Sequence, residues 1–328
     1  MRLRLTGIVG IAVSLLATPP AMAADRDLRL IAASQRDDVQ AVRALIGAGV
    51  EVNAPSGDGA TALHWATHND DLALADLLLA KGAKPDAVTD LGVTPLWIAA
   101  TNSSTAMVTR LLQAQANPNL APATGGAPLM VAARRGNVLV VQALLARGAD
   151  LNARQQKGSP TKRMPSGHAL DFKMVGATPY LLAVRAGQID LMRLLASKGA
   201  DTAIPLNDGR SALMVIAGEG TVEGPVVPDA RAAEVIRLAV QLGTPVNQAG
   251  PAGDTALHVA ATKRRDLVVQ ALADSGAALD ARNRDGETPL DAALKPPPLK
   301  GTGMLVDYEF LLHHTATAEL LRKLGAKS

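Results

Sequence analysis

Apolar residues recur along the chain as pairs of short stripes set apart by polar turns. The first stripe of each pair opens on a repeated segment: Thr61-Ala-Leu-His-Trp-Ala66, Thr94-Pro-Leu-Trp-Ile-Ala99, Ala127-Pro-Leu-Met-Val-Ala132, Thr178-Pro-Tyr-Leu-Leu-Ala183, Ser211-Ala-Leu-Met-Val-Ile216, Thr255-Ala-Leu-His-Val-Ala260 and Thr288-Pro-Leu-Asp-Ala-Ala293. A Thr ahead of an apolar run is a helix N-cap, and Pro95, Pro128, Pro179 and Pro289 stand at the first helical position, where a missing N–H costs nothing. A second stripe follows, such as Leu74, Leu77 and Leu78 or Val141, Leu144 and Leu145, at the spacing that lines one helical face. It runs into a Gly suited to the left-handed end of a helix. Turn signals such as Asp58-Gly59, Asp208-Gly209 and Asp285-Gly286 then lead to the next Thr. The pattern predicts helix, loop, helix, turn, repeated, with Ala at the sites where neighbouring helices approach.

The helix-ending glycines measure the period. Gly49, Gly82, Gly148, Gly199, Gly243 and Gly276 mark it, with Gln115 in the vacant slot, and four of the six intervals are 33 residues. The intervals from Gly148 to Gly199 and from Gly199 to Gly243 are 51 and 44, which places insertions of 18 and 11 residues there. A period of 33 with Thr-Pro-Leu-His-x-Ala resembles the ankyrin repeat. The resemblance implies an all-α solenoid over 24–328, built of about eight helix-turn-helix units with connecting β-turn or hairpin loops. The units read 25–58, 59–91, 92–124, 125–175, 176–208, 209–252, 253–285 and 286–328. The first and last depart from the pattern, Leu28 standing where Thr belongs and a Pro-rich stretch entering the last, as in capping units.

Residues 1–23 read differently. Arg2 and Arg4 precede an apolar run from Leu5 to Ala17, which is shorter than a membrane span, and Ala21 and Ala23 suit a signal peptidase. A cleaved secretory signal is expected, with a retained anchor as the alternative, and no other membrane span. The mature chain is then expected in the periplasm or secreted. A signal followed by these units looks like exported bacterial ankyrin proteins. Removing the leader leaves 31 basic against 30 acidic residues, which weakens any argument for nucleic acid from net charge. The chain has no Cys, which excludes thiol chemistry, disulfides and Cys-ligated zinc, and its two Trp, two Tyr and two Phe leave the core to Ala, Leu and Val.

Candidate chemistry is sparse. No triad spacing and no His-Glu-x-x-His motif occurs, so neither enzyme activity nor a cofactor or metal is expected. His64 and His258, three residues after a capping Thr, are expected to bond back to the cap. Trp65 is expected in the core and Trp97, in the His position, partly exposed. Three insertions, about 155–173, 218–230 and 295–311, are solvated loops or partner contacts; a hydrolytic or metal site around His168, Asp171 and His313 is the alternative from another class.

In the ankyrin family partners usually meet the concave face formed by turn tips and first helices. Carried onto this sequence, the contact positions include His68, Asn69, Trp97, Asn102, Arg134, Arg135, Arg185, Arg210, Lys263 and Arg264. The basic members form a stripe over units four to seven that suits a protein partner with an acidic surface, because guanidinium groups pair with carboxylates. The expected role is a scaffold or regulator that binds a protein in the periplasm, with a secreted effector binding a host protein as the other possibility.

Overall fold

The computed structural model describes residues 27–122, 125–156, 174–218, 227–295 and 308–327, with the side chains of the last helix from 316 onward. The expected leader, His168 and Asp171 lie outside the described residues, as do most of the three insertions and the side chain of His313.

Sixteen helices and no strand occur among the described residues. They come in eight pairs: α1 (Arg29–Gln35) with α2 (Val39–Gly47), α3 (Ala62–His68) with α4 (Leu72–Ala80), α5 (Pro95–Asn102) with α6 (Thr105–Gln113), and α7 (Pro128–Arg135) with α8 (Val138–Leu145). The rest are α9 (Pro179–Arg185) with α10 (Ile189–Ser197), α11 (Ala212–Gly218) with α12 (Asp229–Gln241), α13 (Ala256–Thr262) with α14 (Asp266–Asp274), and α15 (Pro289–Leu294) with α16 (Tyr308–Leu324). Odd-numbered helices stack on one another in one row, and even-numbered helices from α4 onward form a second row beside it. Each unit therefore completes its core against its neighbours, the property of a solenoid.

Local chemistry explains where each first helix starts. Thr94, Thr178 and Thr288 accept hydrogen bonds from the N–H groups of Trp97, Leu181 and Asp291 at 3.1, 3.2 and 3.2 Å. Thr61 and Thr255 close capping boxes with His64 and His258. The signature alanines Ala66, Ala99, Ala132, Ala183 and Ala260 are fully buried between stacked first helices, and the second stripes supply Leu74, Leu78, Met107, Leu111, Val141, Leu144 and Leu195. Tyr180 is the largest fully buried side chain among the described residues, and its hydroxyl lies 3.0 Å from that of Thr244 one unit on.

Units are also joined by polar rungs. Asn53 donates to the Gly82 carbonyl at 2.9 Å and accepts from Lys84 N–H at 2.8 Å; Asn119 does the same with Gly148 and Asp150, and Asn247 with Gly276 and Ala278. Asp86 and Asn152 accept the corresponding N–H of Asn117 and Asp201. At the next junction the rung position holds Ala203, and the residue that would have donated to it is Pro245, which has no N–H. An acceptor there would have no donor to meet, and Gln248 instead donates to the Ala203 carbonyl at 3.0 Å. The last rung runs from Lys327 N–H to Asp280 at 2.7 Å, so Gly325 is the final helix-ending glycine.

Candidate protein-binding surface

Among the described residues, the loops between the two helices of a unit line one edge, along which most are hydrogen bonded to a neighbouring unit. Asn69 donates to the Ser34 carbonyl at 3.1 Å, Asn102 to those of Thr67 and His68 at 3.1 and 3.2 Å, and Asn137 to Ser103 at 3.0 Å. Arg231 donates to Gly187 at 3.1 and 2.9 Å. Arg265, only 7% exposed, donates to the carbonyls of Ile216 and Val227 at 2.6 and 3.2 Å and to the Asp229 carboxylate at 2.8 Å. These bonds cap the ends of first helices whose last carbonyls would otherwise lack partners.

The expected contact residues fall into two groups. Asn69 and Asn102 are exposed, but their amides are engaged in the edge. Trp97 is half-buried and its indole N–H donates to the Gly126 carbonyl at 3.0 Å. His64 and His258 reach the equivalent carbonyls of Val93 and Glu287 through Nε2, also at 3.0 Å, so Trp97 takes over the bond made by the histidine it replaces. Trp65 is half-buried rather than core, its Nε1 has no hydrogen-bond partner, and its ring meets that of the exposed His68 edge-on at 5.6 Å. Arg210 is paired with Asp208 in its own turn, at 2.8 Å through Nε, and Lys295 is paired with Glu287. Arg264 reaches the Lys295 carbonyl at 3.3 Å.

Arg134, Arg135 and Lys263 are exposed and make no ion pair among the described residues. Arg134 and Arg135 end α7, and Arg185 ends α9, which stacks on it. Although exposed in area, the Arg134 guanidinium loses hydration to surrounding protein and feels the like charges of Arg185 and Arg135, which together hold its pKa below the usual arginine range. It remains charged at neutral pH. Cations at a helix C-terminus are favoured by the helix dipole, which offsets part of their mutual repulsion. A carboxylate brought to this group relieves the remainder. Among the described residues no group of His, Asp and Glu side chains is placed to hold a metal ion, and no helix is long and apolar enough to cross a membrane.

The repeat geometry meets its counterpart among known proteins. A family model described as ankyrin repeats in three copies matches residues 68–155, and a second, ankyrin repeats in many copies, matches residues 30–79 and 257–295. The chain belongs to the ankyrin-repeat family. A search of the curated proteins finds no match. The stretch between the two matched regions holds both long departures from the 33-residue period, yet the ankyrin helices α9 to α12 stack there in the same two rows. Ankyrin arrays are generally scaffolds that bind proteins, and the surface assembled here is of that kind.

Arg265 and Arg231 were not legible as structural residues in the sequence. Arg265 follows Lys263 and Arg264 in one basic run, and only its place at the start of α14 turns it inward to the end of α11.

Proposed function

We propose that this protein is an exported scaffold or regulator, acting in the periplasm or after secretion, that binds a protein partner through an acidic surface. The observation that carries the reading is the arginine group at the ends of α7 and α9. Arg134 and Arg135 are exposed, lack an acidic partner among the described residues and stand beside Arg185. Lys263 extends the same edge toward the C-terminal units. Paired guanidinium-to-carboxylate bonds supply specificity, and the stacked helices present them with little ordering cost on binding.

Cross-linking in whole cells with mass spectrometric identification, run on the wild type and on Arg134→Glu/Arg135→Glu, tests the reading. The reversal is expected to abolish the cross-linked partner while leaving the thermal melt nearly unchanged. Undiminished cross-linking would remove these arginines from the interface. Fractionation tests the location: periplasmic extract and culture medium are the expected sources, and chain confined to the cytoplasm would contradict export.

A further inference from the structure

The edge that carries the arginines changes sign along its length. At units one and two its loops hold Asp37, Asp38 and Asp70, all exposed, and Asp71 behind them; Arg36 is the cation in that stretch. Unit three contributes Asn102, Ser103 and Ser104, with no charge. Units four and five contribute Arg134, Arg135 and Arg185. The hydrogen bonds from Asn69, Asn102 and Asn137 across successive loops make the first four units one contiguous row, and α9 stacks on α7 to continue it.

The apolar residues of the same edge follow that arrangement. Leu72 at the start of α4 is 37% exposed, and Leu139 near the start of α8 is 61% exposed. Leu72 is the first residue of its helix and Leu139 the second, and the first two positions of α6 in unit three hold Thr105 and Ala106. Each leucine thus lies one unit away from the uncharged centre, on opposite sides of it.

A surface with acid and leucine on one side of a neutral midpoint, and base and leucine on the other, is complementary to itself under a two-fold rotation. Self-complementarity of this kind is what an isologous contact requires. We propose that the edge over units one to five is a dimerisation surface for a second copy of this chain, with the two-fold axis at the unit-three loop.

In that dimer the unit-two loop of one copy faces the unit-four loop of the other. Asp70 meets Arg134 and Arg135, and Leu72 packs on Leu139. The unit-one loop faces unit five, where Arg36 lies opposite the exposed Asp190. With stacked helices about 8–10 Å apart, the contact spans roughly 35–40 Å along the edge. The inference rests on self-complementarity and not on the acidic-partner reading, but it uses the same arginines. Dimer and partner would therefore compete for Arg134 and Arg135, and release of the dimer would expose the partner site.

The test is sedimentation velocity on residues 24–328 at about 0.01 M and about 1 M salt, where screening lengths are roughly 30 and 3 Å. A dimer at low salt and a monomer at high salt are expected. Two variants isolate the contact. Asp37→Lys/Asp70→Lys makes the edge predominantly basic, and Arg134→Glu/Arg135→Glu makes it predominantly acidic; each alone should dissociate at least about tenfold more readily than the wild type, a change of about 1.4 kcal/mol.

Mixed one to one, the two variants should form a dimer, because the unit-two and unit-four loops of each are then opposite in charge to the loops they face in the other. Thermal melts check that both remain folded. Asp37→Asn/Asp70→Asn, which suits the left-handed backbone at these positions, should weaken the dimer if the lysine variant fails to fold. A wild-type monomer at low salt, variants that dimerise as the wild type does, or a mixture that stays monomeric would each overturn the proposal. The aspartate variants keep every arginine. Loss of their dimer with retained partner cross-linking would separate this surface from the proposed function, and loss of cross-linking only in the arginine variant would test that function by itself.

Discussion

His64 shows how much of this protein is decided by single hydrogen bonds. Its Nδ1 receives the Thr61 N–H at 3.1 Å, which leaves the proton on Nε2 for the Val93 carbonyl at 3.0 Å. The bond accepted at Nδ1 requires the neutral ring, and burial, which outweighs the Nε2 bond to Val93, pushes its pKa below the usual histidine value. The unfolded chain therefore binds the proton more readily. The stability His64 contributes is complete above about pH 6.5 and is lost as pH falls through that value toward the folded pKa. Thermal melts on either side should show the loss, with a shallower acid limb in His64→Gln; an unchanged limb would assign it to other groups. Gln115 offers a second residue-scale prediction. It adopts φ 67° where the other units use Gly, so Gln115→Gly should stabilise by up to about 1 kcal/mol, read from chemical denaturation. The turn glycine Gly253 is different in kind. A Cβ there would lie 2.8 Å from the Arg284 backbone nitrogen, so Gly253→Ala should destabilise where the open position Gly276 tolerates Ala better.

Among the elements, the weak points are helix ends, because most of the helices are short and leave most of their terminal carbonyls without internal partners. The edge residues supply those partners from the following unit. Arg265 is the most committed of them, and Arg265→Ala would strand buried carbonyls of Ile216 and Val227 and leave Asp229 unpaired. A loss of about 3–5 kcal/mol is expected by denaturant titration, with the C-terminal units opening first in hydrogen exchange. The helix faces set the opposite constraint. Ala132 has no exposed surface between stacked first helices, and Ala132→Leu should cost about 1–3 kcal/mol through overpacking.

For the whole molecule, the +3 formal charge conceals an uneven distribution. Acid lies at the N-terminal end of one edge and base beyond its middle, while Arg210 and Lys295 are paired with carboxylates of their own units. Partner binding through Arg134 and Arg135 should therefore weaken steeply with salt, whereas Arg210→Glu, altering a cation already paired with Asp208, should affect capture much less. Comparing cross-linking yield of the two reversals at two salt concentrations checks this. Equal losses would restore the long basic stripe over units four to seven.

The sequence by itself determined the period, the helix starts and ends, the core alanines and leucines and the family, since each depends on residues within one unit: a Thr, the Pro after it, the Gly that ends the pair. It also placed His64 and His258 at their caps, whose partners lie three residues away. Only the tertiary structure decided which polar residues were already used. The partners of Trp97, Asn69, Asn102 and Arg265 are 29 to 49 residues distant, carbonyls of the adjoining units brought near by stacking. Stacking also set Arg134 beside Arg185, 51 residues apart across an insertion, and so selected from ten candidate contacts the few whose charge still faces solvent.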